Sequence, residues 1–120
     1  MQKLIFVVDD NDSNLTVAAS ALEGDFRVLT MPSAEKLFKL LEKKKPDLIL
    51  LDIEMPEMDG FEAIAKLSEN PDWQSIPVVF LTGRSDEECE IKARETRALG
   101  ILKKPFSPRE LISSVKNYVQ

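Results

Sequence analysis

The sequence contains no histidine and one cysteine. Without histidine, imidazole acid–base catalysis and histidine-ligated metal sites are excluded, so a metal would have to be held by oxygen. The lone Cys89 cannot close an internal disulfide, which makes a reducing, cytoplasmic setting the expectation. The longest apolar runs fall far short of the ~20 residues a membrane span needs, and no secretory leader is expected ahead of the first strand. Lys and Arg number 16 against 21 Asp and Glu, for a formal net charge of −5, and the basic residues form no long stripe. Direct nucleic-acid binding by this chain is therefore not expected. What is present is 120 residues, 43% hydrophobic and 31% charged, the balance of one soluble domain around one core.

Apolar runs alternate with amphipathic ones. Leu4–Val8 (LIFVV), Leu48–Leu51 (LILL) and Val78–Leu81 (VVFL) are continuously apolar, as strands buried on both faces should be. Phe26–Thr30 (FRVLT) is mixed and Ile101–Leu102 is short, and both suit sheet edges. Helical spacing joins Leu15, Ala18, Ala19 and Leu22, then Ala34, Leu37, Phe38 and Leu41, then Phe61, Ile64 and Ala65. Ser85 and Glu88 predict a capping box for a helix from about Asp86 to Leu99, in which Ile91, Ala93 and Ala98 form a thin apolar stripe. Ser107, Pro108 and Glu110 predict another box for a last helix carrying Leu111, Ile112, Val115, Tyr118 and Val119. Asp12 or Ser13 is expected to cap the first helix. No linker, repeat or low-complexity segment is found. Five strands alternating with five helices predict an α/β, doubly wound parallel sheet of order 2-1-3-4-5, with ligands bound beyond the carboxyl ends of its strands.

At those ends stand Asp9 and Asp10 after the first strand, Asp52 after the third, Thr82 after the fourth and Lys104 after the fifth. An aspartate at a strand end is commonly a turn former, and a single threonine or lysine there carries no signal. Together, however, three carboxylates in one crevice repel one another and call for compensation, which a hard divalent cation such as Mg²⁺ supplies. Lys104 and the Thr82 hydroxyl suit phosphoryl oxygens. The set amounts to the equipment for phosphoryl transfer to a carboxylate.

With these residues in view, the sequence resembles the receiver domain of two-component response regulators. VVDDN, LLDIEMPEMDG, VVFLTG and KKPF match that family's motifs in order and spacing, and the likeness runs from Lys3 to about Val119. It implies a flavodoxin-like (βα)5 domain over residues 1–120. Asp52 would accept a phosphoryl group from a phosphohistidine on a sensor histidine kinase or histidine phosphotransfer protein. Asp9, Asp10 and Asp52, with the backbone carbonyl of Glu54, would hold Mg²⁺. Thr82 would bond the phosphoryl group and Lys104 would pair with it, next to a Lys104–Pro105 peptide that is commonly cis in the family. A downstream effector would read the face of helix four, strand five and helix five, on a monomer or a phosphorylation-dependent dimer. No membrane partner is implied.

The sequence departs from the family pattern at three places. Ile101 stands where a switching Tyr or Phe is usual, so rotation of an aliphatic side chain would replace that of a ring. Arg97–Ala98 replaces Gly–Ala before the last strand, and Gly83 replaces Ala after the threonine. Glu54 and Arg84 rim the site and are expected to face one another across its mouth, restricting the attacking water. Cys89 is expected to be a small filler, Trp73 to pack over the loop before strand four, and Met31 and Met58 to pack. Two other functions compete. One is a phosphatase with an aspartyl-phosphate intermediate, although such enzymes usually place their two aspartates two apart after one strand, whereas Asp9 and Asp10 are adjacent. The other is a degenerate receiver that binds partners without phosphorylation. The sequence is equally compatible with a stand-alone regulator, a phosphorelay shuttle, and an excised piece of a larger regulator or hybrid kinase.

Overall fold

The computed structural model describes residues 2–84 and 86–119. Its elements alternate from β1 (Leu4–Val8) and α1 (Asp12–Leu22) through β2 (Arg27–Met31), α2 (Ala34–Leu41), β3 (Leu48–Asp52) and α3 (Gly60–Glu69) to β4 (Val78–Thr82), α4 (Glu87–Arg94), β5 (Gly100–Lys103) and α5 (Pro108–Tyr118). All strand pairs are parallel, in the order β2-β1-β3-β4-β5. The expected doubly wound order is the observed one. No described helix is long and apolar enough to cross a membrane.

The three apolar runs are the three central strands, and their period of two divides the core. Ile5, Val7, Leu48, Leu50, Val79 and Leu81 face α1 and α5. Phe6, Val8, Ile49, Leu51, Val78 and Phe80 face α2, α3 and α4. With both faces covered, no residue of β3 or β4 can be polar until the strand ends, where Asp52 and Thr82 come. The edge strands are half-exposed, as their composition requires.

Local chemistry corrects several expectations. Asn11, rather than Asp12 or Ser13, caps α1, its side chain accepting from the Asn14 amide. Ala65 is exposed on α3, whose inner face is Gly60, Ala63, Ile64 and Leu67. Ser85 lies outside the described residues; the cap of α4 is Asp86, which accepts from the Cys89 amide. That helix ends at Arg94, not near Leu99, because the Thr96 hydroxyl donates to the Ala93 carbonyl at 2.6 Å and accepts the Ala98 amide at 3.1 Å. Its inner residues are Cys89 and Ala93, one turn apart, while Ile91 is half-exposed. Ser107 and Glu110 do form the box on α5.

The loop from β3 to α3 turns sharply. Glu57 has φ 68°, and the Met58 amide reaches back to the Pro56 carbonyl at 2.8 Å, a strained three-residue turn. The turn lets Asp59 and Glu62 box the start of α3 and brings the Gly60 amide to 2.9 Å from the Ile53 carbonyl. A Cβ on Gly60 would lie 2.6 Å from the Asp52 carbonyl oxygen and 2.8 Å from the Ile53 Cα, both backbone atoms that cannot step aside. Gly60→Ala should therefore destabilise the fold by about 1–3 kcal/mol. Urea denaturation reads this as a lowered midpoint, and an unchanged midpoint would show the contact to be soft.

Candidate functional site

Asp52 and Thr82 are the last residues of β3 and β4, and Asp9 and Lys104 each stand one residue past β1 and β5. The Asp9 amide donates to the Met31 carbonyl, the Ile53 amide to Leu81 and the Lys104 amide to Thr82, at 3.1, 2.9 and 2.7 Å. These backbone bonds continue the strand pairing beyond the last apolar residues and fix Asp9, Asp52, Thr82 and Lys104 on one edge. The Lys104–Pro105 peptide is cis.

Asp9, Asp10 and Asp52 each offer an oxygen, all within 4.8 Å of one another. Asp9 and Asp52 are fully buried and Asp10 is exposed. The Lys104 ammonium bridges the two buried carboxylates, 2.9 Å from Asp52 Oδ1 and 3.2 Å from Asp9 Oδ2. Asp52 Oδ1 also receives the Glu54 amide at 3.3 Å, whereas Asp52 Oδ2 is buried with no hydrogen-bond partner. Burial pushes the Asp52 carboxyl up to about 7, and the neighbouring Asp9 charge adds to this, against the pull of Lys104. Burial pulls the Lys104 ammonium down, but its hydrogen bond and charge attraction to Asp52, with help from Asp9, more than reverse this.

A divalent cation fits this arrangement on two grounds. Three carboxylates against one ammonium leave an excess of two negative charges when all are ionised, and an all-oxygen donor set suits a hard ion. The orphaned Asp52 Oδ2 is the kind of buried acceptor that such an ion, or a bond to phosphorus, would satisfy.

Two features escaped sequence reasoning. The Asn14 side-chain amide donates to Asp9 Oδ2 at 3.2 Å and the Asn11 backbone amide to Asp9 Oδ1 at 2.9 Å, so the start of α1 orients the first carboxylate. Arg97 enters the protein rather than solvent. Its guanidinium donates to the Ser68 hydroxyl at 3.0 Å, the Ile76 carbonyl at 2.6 Å and the Trp73 carbonyl at 3.4 Å. Burial lowers its pKa. The spacing of Asn14 five residues after Asp9 was the only available hint of the first; nothing local signalled the second.

The rim differs from expectation. Glu54 and Arg84 both line the cavity of about 560 Å³ between the β3–α3 loop and α4, but they do not pair with each other. The Arg84 guanidinium makes a two-pronged contact with Asp86 at 2.9 and 3.1 Å. Glu54 folds onto the end of β4, where its oxygens lie 2.8 and 3.0 Å from the Thr82 hydroxyl and 3.2 Å from the Gly83 amide. Ile101 is half-buried, packed against the cluster under α4 and lining a second hollow with Leu99 and Lys103. Cys89 is buried as a filler, Met31 is buried, Met58 packs against the core, and Trp73 stacks on Phe38 at 5.8 Å between ring centres.

A doubly wound sheet with an acidic pair and a strand-end aspartate on its binding edge, faced by a lysine and a threonine, defines a phosphoacceptor class of α/β domain. The chain belongs to the response regulator receiver domain family, whose model matches residues 5–116. It is 37% identical to the alkaline phosphatase synthesis transcriptional regulatory protein PhoP of Bacillus subtilis, over 97% of this chain and 48% of that one. It is also 37% identical to a probable cyclic di-GMP phosphodiesterase of Vibrio cholerae, over 99% of this chain and 27% of the relative. The crystal structure of DrrB, an OmpR/PhoB homologue of Thermotoga maritima, superposes with a TM-score of 0.87 at 29% identity, covering 98% of this chain and 52% of that one. The chain thus spans between about a quarter and a half of these relatives. Membership makes it a two-component phosphoacceptor signalling domain rather than a classical enzyme, which sets aside the phosphatase alternative.

The electrostatics generate a prediction. A carboxyl whose folded pKa lies above its unfolded value binds its proton more tightly in the native state, so its contribution is fully present below about pH 4 and is lost as pH rises towards 7. Asp52→Asn removes that loss. In metal-free buffer above pH 7 the variant should be more stable than wild type by on the order of 1–2 kcal/mol, with the gap closing as pH falls below 5. Thermal melts of both proteins across that range check it; a pH-independent gap would place the strain elsewhere.

Proposed function

We propose that residues 1–120 form one receiver domain in which Asp52 takes a phosphoryl group from a phosphohistidine on a partner, either a sensor histidine kinase or a histidine phosphotransfer protein. The observation that carries this assignment is the unpartnered, buried Asp52 Oδ2, set among Asp9, Asp10 and Lys104. In the transfer, an Asp52 carboxylate oxygen forms the new P–O bond as the P–N bond breaks. The bonding pair leaves with the donor imidazole nitrogen. Hydrolysis later returns inorganic phosphate and the free carboxylate.

Asp9, Asp10, Asp52 and the Glu54 backbone carbonyl would hold Mg²⁺, which when bound offsets charge on the phosphoryl oxygens. Lys104, already on Asp52 Oδ1, needs little movement to pair with a phosphoryl oxygen, and the burial around it strengthens that attraction. Thr82, the last residue of the next strand, and the Gly83 amide just past it stand ready as donors. The phosphorylated state would draw Thr82 inward and let Ile101 repack beneath α4. An effector, or a second copy of the domain, would read the change on the α4–β5–α5 face. The short α4 buries only Cys89 and Ala93, which suits a segment of low local stability. A cytoplasmic setting and the absence of direct nucleic-acid or membrane contact complete the reading.

Incubation with acetyl phosphate, followed by intact mass measurement, tests the acceptor. One phosphoryl adduct is expected, dependent on Mg²⁺ and absent from Asp52→Asn. An adduct that persists in that variant would move the acceptor to another residue. Replacing Lys104 by Met should slow adduct formation by at least tenfold, since it removes the one cation that touches the acceptor among the described residues. An unaltered rate would reduce Lys104 to a structural counter-ion.

A further inference from the structure

Glu54 and Thr82 lie 28 residues apart in sequence, yet a carboxylate and a hydroxyl from neighbouring strand ends meet at 2.8 Å. The hydroxyl has one proton, and that proton is committed to Glu54, because its other bond is as acceptor from the Arg84 amide at 2.9 Å. The Gly83 amide points at the same carboxylate. On the proposed reading of Asp52, these two donors, which follow its partner Leu81 at the end of the adjoining strand, are the ones a phosphoryl group there would use. Among the described residues Glu54 has no ion pair, since Arg84 is engaged with Asp86. The backbone amide of Glu54 stays on Asp52 Oδ1, so the side chain is tethered beside the acceptor while its carboxylate crosses to β4.

We infer that the Glu54 carboxylate is a built-in stand-in for the phosphoryl group: in the resting protein it fills the Thr82 and Gly83 donors and must leave before phosphoryl oxygens can bond there. The inference rests on the reading of Asp52 as acceptor and adds a competitor within the same chain. Glu54 is exposed, so its carboxylate can swing into water without burying a charge. A phosphoryl group brings more oxygens and more charge to the two donors, and its charge repels the carboxylate it replaces. The competition sets a threshold: a weak donor or a short-lived adduct leaves Thr82 in its resting bond. It also makes the departed carboxylate part of the altered surface at the mouth of the cavity shared with Phe61 and Lys92.

Beryllofluoride, a non-covalent phosphoryl analogue, provides the test when titrated with Mg²⁺ into ¹⁵N-labelled wild type, Glu54→Ala, Glu54→Asp and Asp52→Asn. Losing a competitor that holds two hydrogen bonds should make Glu54→Ala bind roughly tenfold more tightly. Glu54→Asp keeps the charge but is one methylene short of Thr82, and should bind nearly as tightly as Glu54→Ala. The Gly83 amide signal should differ between the free wild type and both Glu54 variants, and coincide in their complexes. Equal affinities for wild type and Glu54→Ala would overturn the inference alone, as would a Glu54→Asp that matches wild type, because charge rather than occupancy would then be responsible. Binding that does not depend on Asp52 in any variant would overturn the acceptor reading and the inference with it.

Discussion

The mutual repulsion of carboxylates at the end of a buried sheet is the constraint on which the rest of the site depends. Asp9 and Asp52 are fully buried within hydrogen-bonding reach of a single ammonium, with Asp10 beside them. Such a group is costly to assemble, and it persists because the sheet leaves the side chains no alternative position. Backbone bonds from Asp9, Ile53 and Lys104 extend the ladders past the strands and hold the charges in place. The apolar faces on either side of β1, β3 and β4 supply the stability that the site spends. Lys104 is then a resident counter-ion in the resting protein and a ligand for the incoming group in the proposed reaction, so one side chain serves both states.

Thr82 links this charged centre to the outer half of the sheet. It sits in register with Lys103 on β5, one residue before Lys104 and two after Ile101. In the proposed switch, a change in its hydroxyl bond would reach the neighbouring strand, whose Ile101 packs under α4. The isoleucine there would then couple by volume and rotamer alone, without a ring hydroxyl to reward one position over another. The resting bond to Glu54 supplies a polar preference that the β5 residue does not.

Much of the fold was legible because the physics behind it is local or periodic. Continuous apolar runs marked the doubly covered strands, and the strand-end Asp52 stood out because a carboxylate cannot be buried in such a run without a function or a partner. The edge strands were also readable, though β2 lies one residue later than its apolar pattern suggested, since Met31 rather than Phe26 pairs within the ladder. Caps were harder where several good caps adjoin: in Asn11-Asp12-Ser13-Asn14 every residue can cap, and the side-chain geometry chose Asn11. On α4, Cys89 is the buried filler its size suggested, one turn from Ala93, whereas Ile91, read into the same thin stripe, lies two residues from Cys89 and so faces away from the core. The Glu54–Thr82 bond could not be read at all, because it depends on the register of β3 against β4 across 28 residues. Arg97 was noticed as a departure, but its three acceptors lie more than twenty residues away, at the end of α3 and in the loop before β4.

Those three acceptors bear on how α4 could move. Arg97 ties the segment after α4 to Ser68 at the end of α3 and to Trp73 and Ile76 in the loop before β4, and Trp73 is itself stacked on Phe38 of α2. The opposite end of α4 is held by Asp86, whose contact with Arg84 is half in water. A helix anchored firmly behind and lightly in front behaves as a lever with its fulcrum at the C-terminal end. Displacements arising at the mouth of the site would be largest near Glu87 and Glu88 and would die away towards Arg94. The helix would swing rather than slide along the sheet.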